Sequence, residues 1–259
     1  MSNPLLEKKI SRYSKLFKEV KNWQQYLLFK TSIFREDDFT FKFRNGFNLN
    51  VSRKMLGPFR ECFFDDVYLK HFDHADFPPQ PLILDIGANV GFSALYFFYQ
   101  FPGAAIHSFE PMPFCQKVIE KYNQQFPSFN WSLHKYGLWK TTGSLEFFTD
   151  STDDFSTVSG VNASGERQKR ITVQVKAIAE IFEENNFRNI DLLKLDCEGA
   201  EYSILYNMPD AMLNAIKRLA IETHHSEESN KPELEAFLIS KGFNINESLT
   251  GTDYIVACR

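Results

Sequence analysis

Asp85, Gly87, Asn89 and Gly91 stand at alternate positions in the stretch LILDIGANVGFSALYFF, Leu82 to Phe98. Glycine permits a tight bend and a close approach with no Cβ in the way. In an open α/β sheet the first strand-to-helix turn forms the floor of the ligand site. A dinucleotide fingerprint needs G-x-G-x-x-G, but Asn89 and Phe92 occupy its second and third glycine positions. The turn also carries an acid, Asp85, where a pyrophosphate would want cations. Glu110 closes the next strand in HSFEP, where a carboxylate can accept hydrogen bonds from both hydroxyls of a ribose.

A ribose with no phosphate beside it points to S-adenosylmethionine as the cofactor. A nucleoside-binding module without chemistry and an NAD-dependent sugar-modifying enzyme are the competing readings. Methyl transfer is an in-line displacement, so the protein must align donor and acceptor, and a hydroxyl acceptor must lose its proton. Asp196 ends a later strand, and Glu222, His224 and His225 end the next in AIETHHS. His224, Asp196 and Glu222 are the catalytic candidates, with His224 preferred over His225 as a neutral imidazole base near a free pKa of roughly 6.5. The same oxygens and nitrogen suit a divalent cation that binds the acceptor, although no metal site is assigned. Glu198 and Glu201 fit equally well as acids at a helix start. The polar segment Thr149 to Arg170 offers Asp153, Asp154, Ser156 and Thr157 to a polyhydroxylated acceptor.

Placing these groups requires strands that end together. Apolar runs predict strands at Leu82–Ile86, Ala105–Phe109, Trp131–Lys135, Leu192–Asp196 and Leu219–Thr223, with helices starting near Val90, Pro113, Ala177, Ala200 and Pro232. That alternation argues for a parallel sheet covered by helices on both faces. SLEFF and ITVQVKAI read as a hairpin, and FNINES with DYIVAC reads as a second, C-terminal one. Ahead of the sheet, Asn45-Gly46 between alternating residues is a strong hairpin signal. Residues 57–72 suit a helix. Residues 1 to about 30 read as one helix whose Leu6, Ile10, Tyr13, Phe17 and Val20 form a stripe. That stripe serves packing on the same chain or pairing with a second copy in a homodimer. The expected organisation is 1–80 for these leading elements and 81–259 for the donor-binding domain.

The chain has 259 residues, 43% hydrophobic and 24% charged, with 27 Phe best read as core filling. Its formal charge of −4 leaves no basic excess for a phosphate backbone, so nucleic acid is a poor partner. No apolar run reaches the roughly 20 residues of a membrane span, and a soluble cytoplasmic protein is expected. The scattered Cys62, Cys115, Cys197 and Cys258 read as reduced thiols.

LILDIGANVGFSALYF, SFEP and IDLLKLDCEGAEYSIL, Ile190 to Leu205, occur in order, preceded by FRNGFNLNV and GPFRECFFDDVY. With these motifs the chain resembles the FkbM family of S-adenosylmethionine-dependent methyltransferases from about Phe39 onward. The resemblance implies an α/β fold of the class I methyltransferase (Rossmann-like) kind: a seven-stranded, mostly parallel sheet with a C-terminal antiparallel hairpin, beside the N-terminal helix and β-hairpin. It implies O-methyl transfer to a hydroxyl of a sugar, a glycan or another small hydroxylated metabolite. Carried over, Asp85, Gly87, Asn89 and Gly91 floor the methionine and ribose, and Glu110 holds the ribose. Gly137 and Leu138 in HKYGLW line the adenine side, and Asp196 counts among both the donor-binding and the catalytic groups.

Overall fold

A computed structural model describes residues 4–31, 36–150, 168–224, 229–246, 249 and 252–259. The chain divides into two compact units, Met1–Lys70 and His71–Arg259.

The first unit contains α1 (Pro4–Glu19), α2 (Trp23–Phe29), β1 (Asp38–Lys42), β2 (Asn48–Ser52) and α3 (Leu56–Arg60). β1 and β2 pair antiparallel with Phe41 opposite Leu49, and Gly46 at the turn has φ +93°. The strands alternate buried and exposed residues. Tyr26, Phe29, Phe41, Phe43, Phe59 and Phe63 meet on the buried side with at most 2% exposure. Ring pairs such as Phe41–Phe59, with centroids 4.3 Å apart, account for part of the phenylalanine excess as core.

The single helix expected over residues 1–30 is broken between α1 and α2. Val20 forms an isolated bridge to Phe43, and the Lys21 amide donates to the Lys42 carbonyl at 2.7 Å. The Asn22 side chain donates to the Thr40 carbonyl at 2.9 Å and accepts from the Lys42 amide at 3.0 Å. The Val20 amide still donates to the Leu16 carbonyl at 3.0 Å, so the helix ends where the Lys21 amide turns to the hairpin instead. Asn22→Ala should cost about 1 kcal/mol of stability, readable by urea unfolding; an unchanged midpoint would show that the break is set elsewhere. Of the stripe, Val20, just past the end of α1, is buried beside Leu16, while Ile10 is 60% and Phe17 42% exposed. The helix expected over 57–72 is shorter: α3 runs into one wide turn, Glu61–Asp65, and stops at Asp66 in the left-handed conformation, φ 54°.

The second unit carries β3 (Leu82–Ile86), α4 (Phe92–Gln100), β4 (Ala105–Phe109), α5 (Pro113–Gln125), β5 (Asn130–His134), β6 (Gly137–Trp139), β7 (Gly143–Asp150), β8 (Gln168–Ala177) and α6 (Ile178–Glu184). It continues with β9 (Leu192–Leu195), α7 (Glu201–Tyr206), α8 (Asp210–Leu213), β10 (Arg218–Glu222), α9 (Lys231–Ser240), β11 (Asn244–Ile245) and β12 (Tyr254–Cys258). Seven strands form one sheet in the order β11-β12-β10-β9-β3-β4-β5, and β12 is antiparallel to both of its neighbours. The five strands β10, β9, β3, β4 and β5 run parallel to one another. The chain enters at the centre on β3, steps outward through β4 and β5, and returns to β9 on the other side of β3. Strand order therefore reverses at the carboxyl ends of β3 and β9, the place where open α/β sheets bind ligands.

β6, β8 and β7 form a separate three-stranded sheet. β7 and β8 are the expected hairpin; β6 is an addition, parallel to β8, and its three residues are too few to show a period. Asp153, Asp154, Ser156 and Thr157 lie outside the described residues.

Alternation sorts the seven-stranded sheet into two faces. Leu84, Ile86, Phe109, Leu193, Leu195, Leu219 and Ile221 join residues of α6, α7 and α9 in one apolar core. The other face buries Ile83 but also Asp85, Ser108 and Lys194, so polar groups are paired beneath the first turn. Among the described residues no helix is long and apolar enough to cross a membrane.

Candidate active site

What excludes a side chain at Gly87 is the chain itself. A Cβ there would lie 1.8 Å from the Asp196 carbonyl oxygen, at φ +75°. At Gly91, φ +85°, a Cβ would meet the Trp131 ring at 2.9 Å and Ile119 at 3.1 Å. Both glycines are needed to let β9, β5 and α5 close around the turn, whatever lies on it. Asn89 between them also has positive φ, 50°, a conformation that Asn tolerates better than most residues.

Asp85 is fully buried, and its carboxylate is engaged inside the protein. Oδ2 accepts from the Ser93 hydroxyl at 2.8 Å and the Ser108 hydroxyl at 3.1 Å, while Oδ1 lies 3.2 Å from Lys194 Nζ. The Trp131 indole N–H in turn donates to Ser108 at 2.9 Å. Asp85 thus anchors the turn from beneath.

Glu110 follows β4 directly and is 5% exposed. Its Oε2 accepts the Asn89 amide and its Oε1 the Met112 amide, each at 2.8 Å. Burial pushes its carboxyl up to about 7, against the opposing pull of those two amides. Each oxygen retains capacity for a further donor. Gly137 sits with Pro111, the residue after Glu110, 3.4 Å from where its Cβ would be. Leu138 is 4% exposed and belongs to the apolar core.

At the ends of β9 and β10 the structure brings Asp196 and His224 together with two acids that the sequence left as helix-start residues. His224 Nε2 lies 3.8 Å from Asp196 Oδ1 and 3.6 Å from Glu198 Oε2. Its Nδ1 is 2.9 Å from Glu201 Oε1. Glu201 is wholly buried, and its two oxygens also take the Cys197 amide at 2.8 Å and the Gly199 amide at 2.9 Å. One carboxylate therefore clamps the D-C-E-G turn, where Glu198 has φ 54° and Gly199 φ 102°, and orients the imidazole.

Burial by itself would lower the His224 pKa, but the Glu201 hydrogen bond and the fields of Glu201, Glu198 and Asp196 outweigh it and raise it to about 9. The expectation of a neutral imidazole is thereby corrected: near neutrality His224 is an imidazolium. Burial also raises the Glu198 carboxyl. Glu222 closes β10, half-buried and opposite Tyr254. His225 lies outside the described residues. Among the described residues no three His, Cys, Asp or Glu side chains are grouped as a metal ion would need.

Sequence reasoning passed over Lys194 and the clamp at Glu201. A lysine inside the apolar run DLLKLD was the available signal, because an ammonium is rarely buried without partners. For Glu201 the signal was weaker, an acid at the first position of a helix.

Residues 85–245, more than half of the chain, match the methyltransferase FkbM domain. The chain is 27% identical over 223 residues to methyltransferase sdnD of Sordaria araneosa, covering 72% of this chain and 81% of that protein. It is 23% identical over 213 residues to the 31-O-demethyl-FK506 methyltransferase FkbM of Streptomyces tacrolimicus, with 72% and 81% covered. A crystal structure of methyltransferase FkbM from Methylobacillus flagellatus superposes with TM-score 0.52 at 13% identity, over 98% of this chain and 60% of that one. At that identity the superposition speaks for the fold alone, the class I methyltransferase architecture traced above. With three ordered motifs, this sheet and a matching domain of that length, the chain belongs to the FkbM methyltransferase family.

Proposed function

We propose that the protein is an S-adenosylmethionine-dependent O-methyltransferase acting on a hydroxyl of a sugar, a glycan or another small hydroxylated metabolite. The observation that carries the reading is Glu110. It is a buried carboxylate at the carboxyl end of β4, beside the first turn, held by two amides and able to accept a hydroxyl on each oxygen, as a vicinal diol requires. The donor set fits the cofactor: carboxylates predominate, and the ammonium beneath the turn, Lys194, is bound by the chain's own oxygens. That suits a cationic, diol-bearing nucleoside better than a pyrophosphate.

Bound there, S-adenosylmethionine supplies an activated methyl group on a sulfonium. Gly87, Asn89 and Gly91 shape the main chain beneath it, Glu110 takes the ribose hydroxyls, and Gly137 and Leu138 flank the adenine. Asp85 acts from below, through Lys194. Asp196, beside Nε2 of His224, stabilises the imidazolium that forms, and Glu222 adds a second acid at the acceptor side. His224, oriented by Glu201, takes the hydroxyl proton in its neutral form, which becomes abundant only as pH nears 9. The rate should therefore climb toward pH 9, with no limb near 6.5. The oxygen acceptor is supported by the relative whose name is a 31-O-demethyl-FK506 methyltransferase. The exposed Ile10 and Phe17 of α1 support the homodimer reading, which sedimentation would test.

Calorimetry with S-adenosylmethionine and S-adenosylhomocysteine tests the donor; no binding heat from pure folded protein would end the reading. Turnover of a hydroxylated acceptor then separates an enzyme from a nucleoside-binding module. Because the ionised form of Glu110 offers the most acceptor sites, affinity for S-adenosylhomocysteine should rise as pH passes through about 7. A gain of about tenfold corresponds to about 1.4 kcal/mol. Glu110→Gln should bind weakly at every pH, and a pH-dependent gain surviving in that variant would place the dependence elsewhere.

A further inference from the structure

Lys194 brings an ammonium into the middle of the sheet with only 2% of its side chain exposed, which is tolerable only where carbonyls and carboxylates surround it. β9 runs parallel to β3 with Lys194 opposite Asp85, and the side chain reaches toward the strand ends. Its Nζ donates to the Gly87 carbonyl at 2.6 Å and lies 3.4 Å from that of Ile86. It is also 3.2 Å from Asp85 Oδ1 and 3.7 Å from Asp196 Oδ2.

One end of this set is fixed and the other is open. Asp85 is immobilised by Ser93 and Ser108 on its second oxygen. Asp196 has a side chain 24% exposed and presents its second oxygen to His224. Replacing a buried ion pair by apolar groups of similar size is often neutral or stabilising, so the Asp85–Lys194 pair is poorly explained by stability. An apolar side chain at 194 could fill the space but could hold neither the Gly87 carbonyl nor Asp196.

We propose that Lys194 is a positioning residue: its ammonium ties the Gly87 carbonyl and Oδ2 of Asp196 to the buried Asp85, so that Oδ1 of Asp196 stays turned to His224 and the glycine turn stays closed on β9. Its consequence for the donor rests on the function proposed above. The tether itself is a property of the ligand-free protein.

Lys194→Met leaves Asp85 buried without its cation and should unfold at lower urea than the parent. The informative protein is therefore the full chain carrying D85N and K194M together, which removes both charges. Three measurements are made on it and on the parent: urea unfolding, the His224 imidazole titration by NMR, and calorimetry with S-adenosylhomocysteine. The groups facing His224 are Glu201 at the start of α7 and Asp196 and Glu198 in the turn after β9. In the double variant most of the stability lost in Lys194→Met should return. Asp196, released from Lys194, should swing away from the imidazolium, and with that field weakened the titration should move to lower pH. Affinity for S-adenosylhomocysteine should fall about tenfold or more, the scale on which supporting partners act on a site. An unchanged His224 titration overturns the proposal, as does unchanged affinity in a pair of proteins that both bind. If the parent shows no binding heat, the donor reading fails while the His224 titration still decides the role of Lys194.

Discussion

Gly87→Ala should lower stability by about 2–5 kcal/mol, combining about 1–2 kcal/mol for a left-handed alanine with about 1–3 kcal/mol for an overpacked contact that is already close. The contact is with backbone, the Asp196 carbonyl 1.8 Å from the new Cβ, so no side-chain rotation relieves it and β3 and β9 must part. Gly242 provides the control within the same unit. It too has positive φ, +86°, but its Cβ would meet only the tip of Arg259 at 3.1 Å, and an alanine there should cost about 1–2 kcal/mol, from backbone strain only. Urea unfolding of the two variants separates conformation from contact. Equal losses would show that the approach of residue 196 to the turn is not what demands glycine. Donor binding should fail in Gly87→Ala for the same geometric reason.

Glu201→Gln should destabilise the protein by about 3 kcal/mol at neutral pH, because one buried carboxylate serves two amides and an imidazolium and an amide cannot accept on both its ends. It should also remove most of an alkaline stability loss. The His224 pKa is raised on folding, from its ordinary 6.5 to about 9. Its contribution is therefore complete below pH 6.5 and disappears as pH rises through 9, a change on the order of 3 kcal/mol. Glu110, raised to about 7, also loses stability with rising pH, but at lower pH, from its ordinary 4.5 to about 7. Urea unfolding between pH 7.5 and 9.5 isolates the histidine. The parent should weaken across that range while Glu201→Gln stays nearly flat. Parallel declines in both proteins would assign the loss to other groups.

Most of the architecture was legible because it is periodic. The Asn45-Gly46 hairpin, the five parallel strands and the C-terminal hairpin announce themselves through alternation, apolar runs and turn residues, all of them local signals. The break between α1 and α2 was not legible, because Leu6 to Val20 keeps helical spacing and the competing hydrogen bonds come from a hairpin some twenty positions away, as Lys42 to Asn22 shows. Glu110 could be nominated because one helix and one strand fix its distance from the first turn.

By itself, then, the sequence determined the order of strands and helices, the family and the set of acids collected at the strand ends. Only the tertiary structure decided what those groups are. It set the Asp196 carbonyl against Gly87, turned the Asp85 carboxylate inward, made His224 a cation and put Lys194 beneath the turn. The physical reason is that burial and electrostatic field at a residue are sums over neighbours in space. Lys194 and the Gly87 carbonyl are 107 positions apart, and no local pattern records a contact of that span.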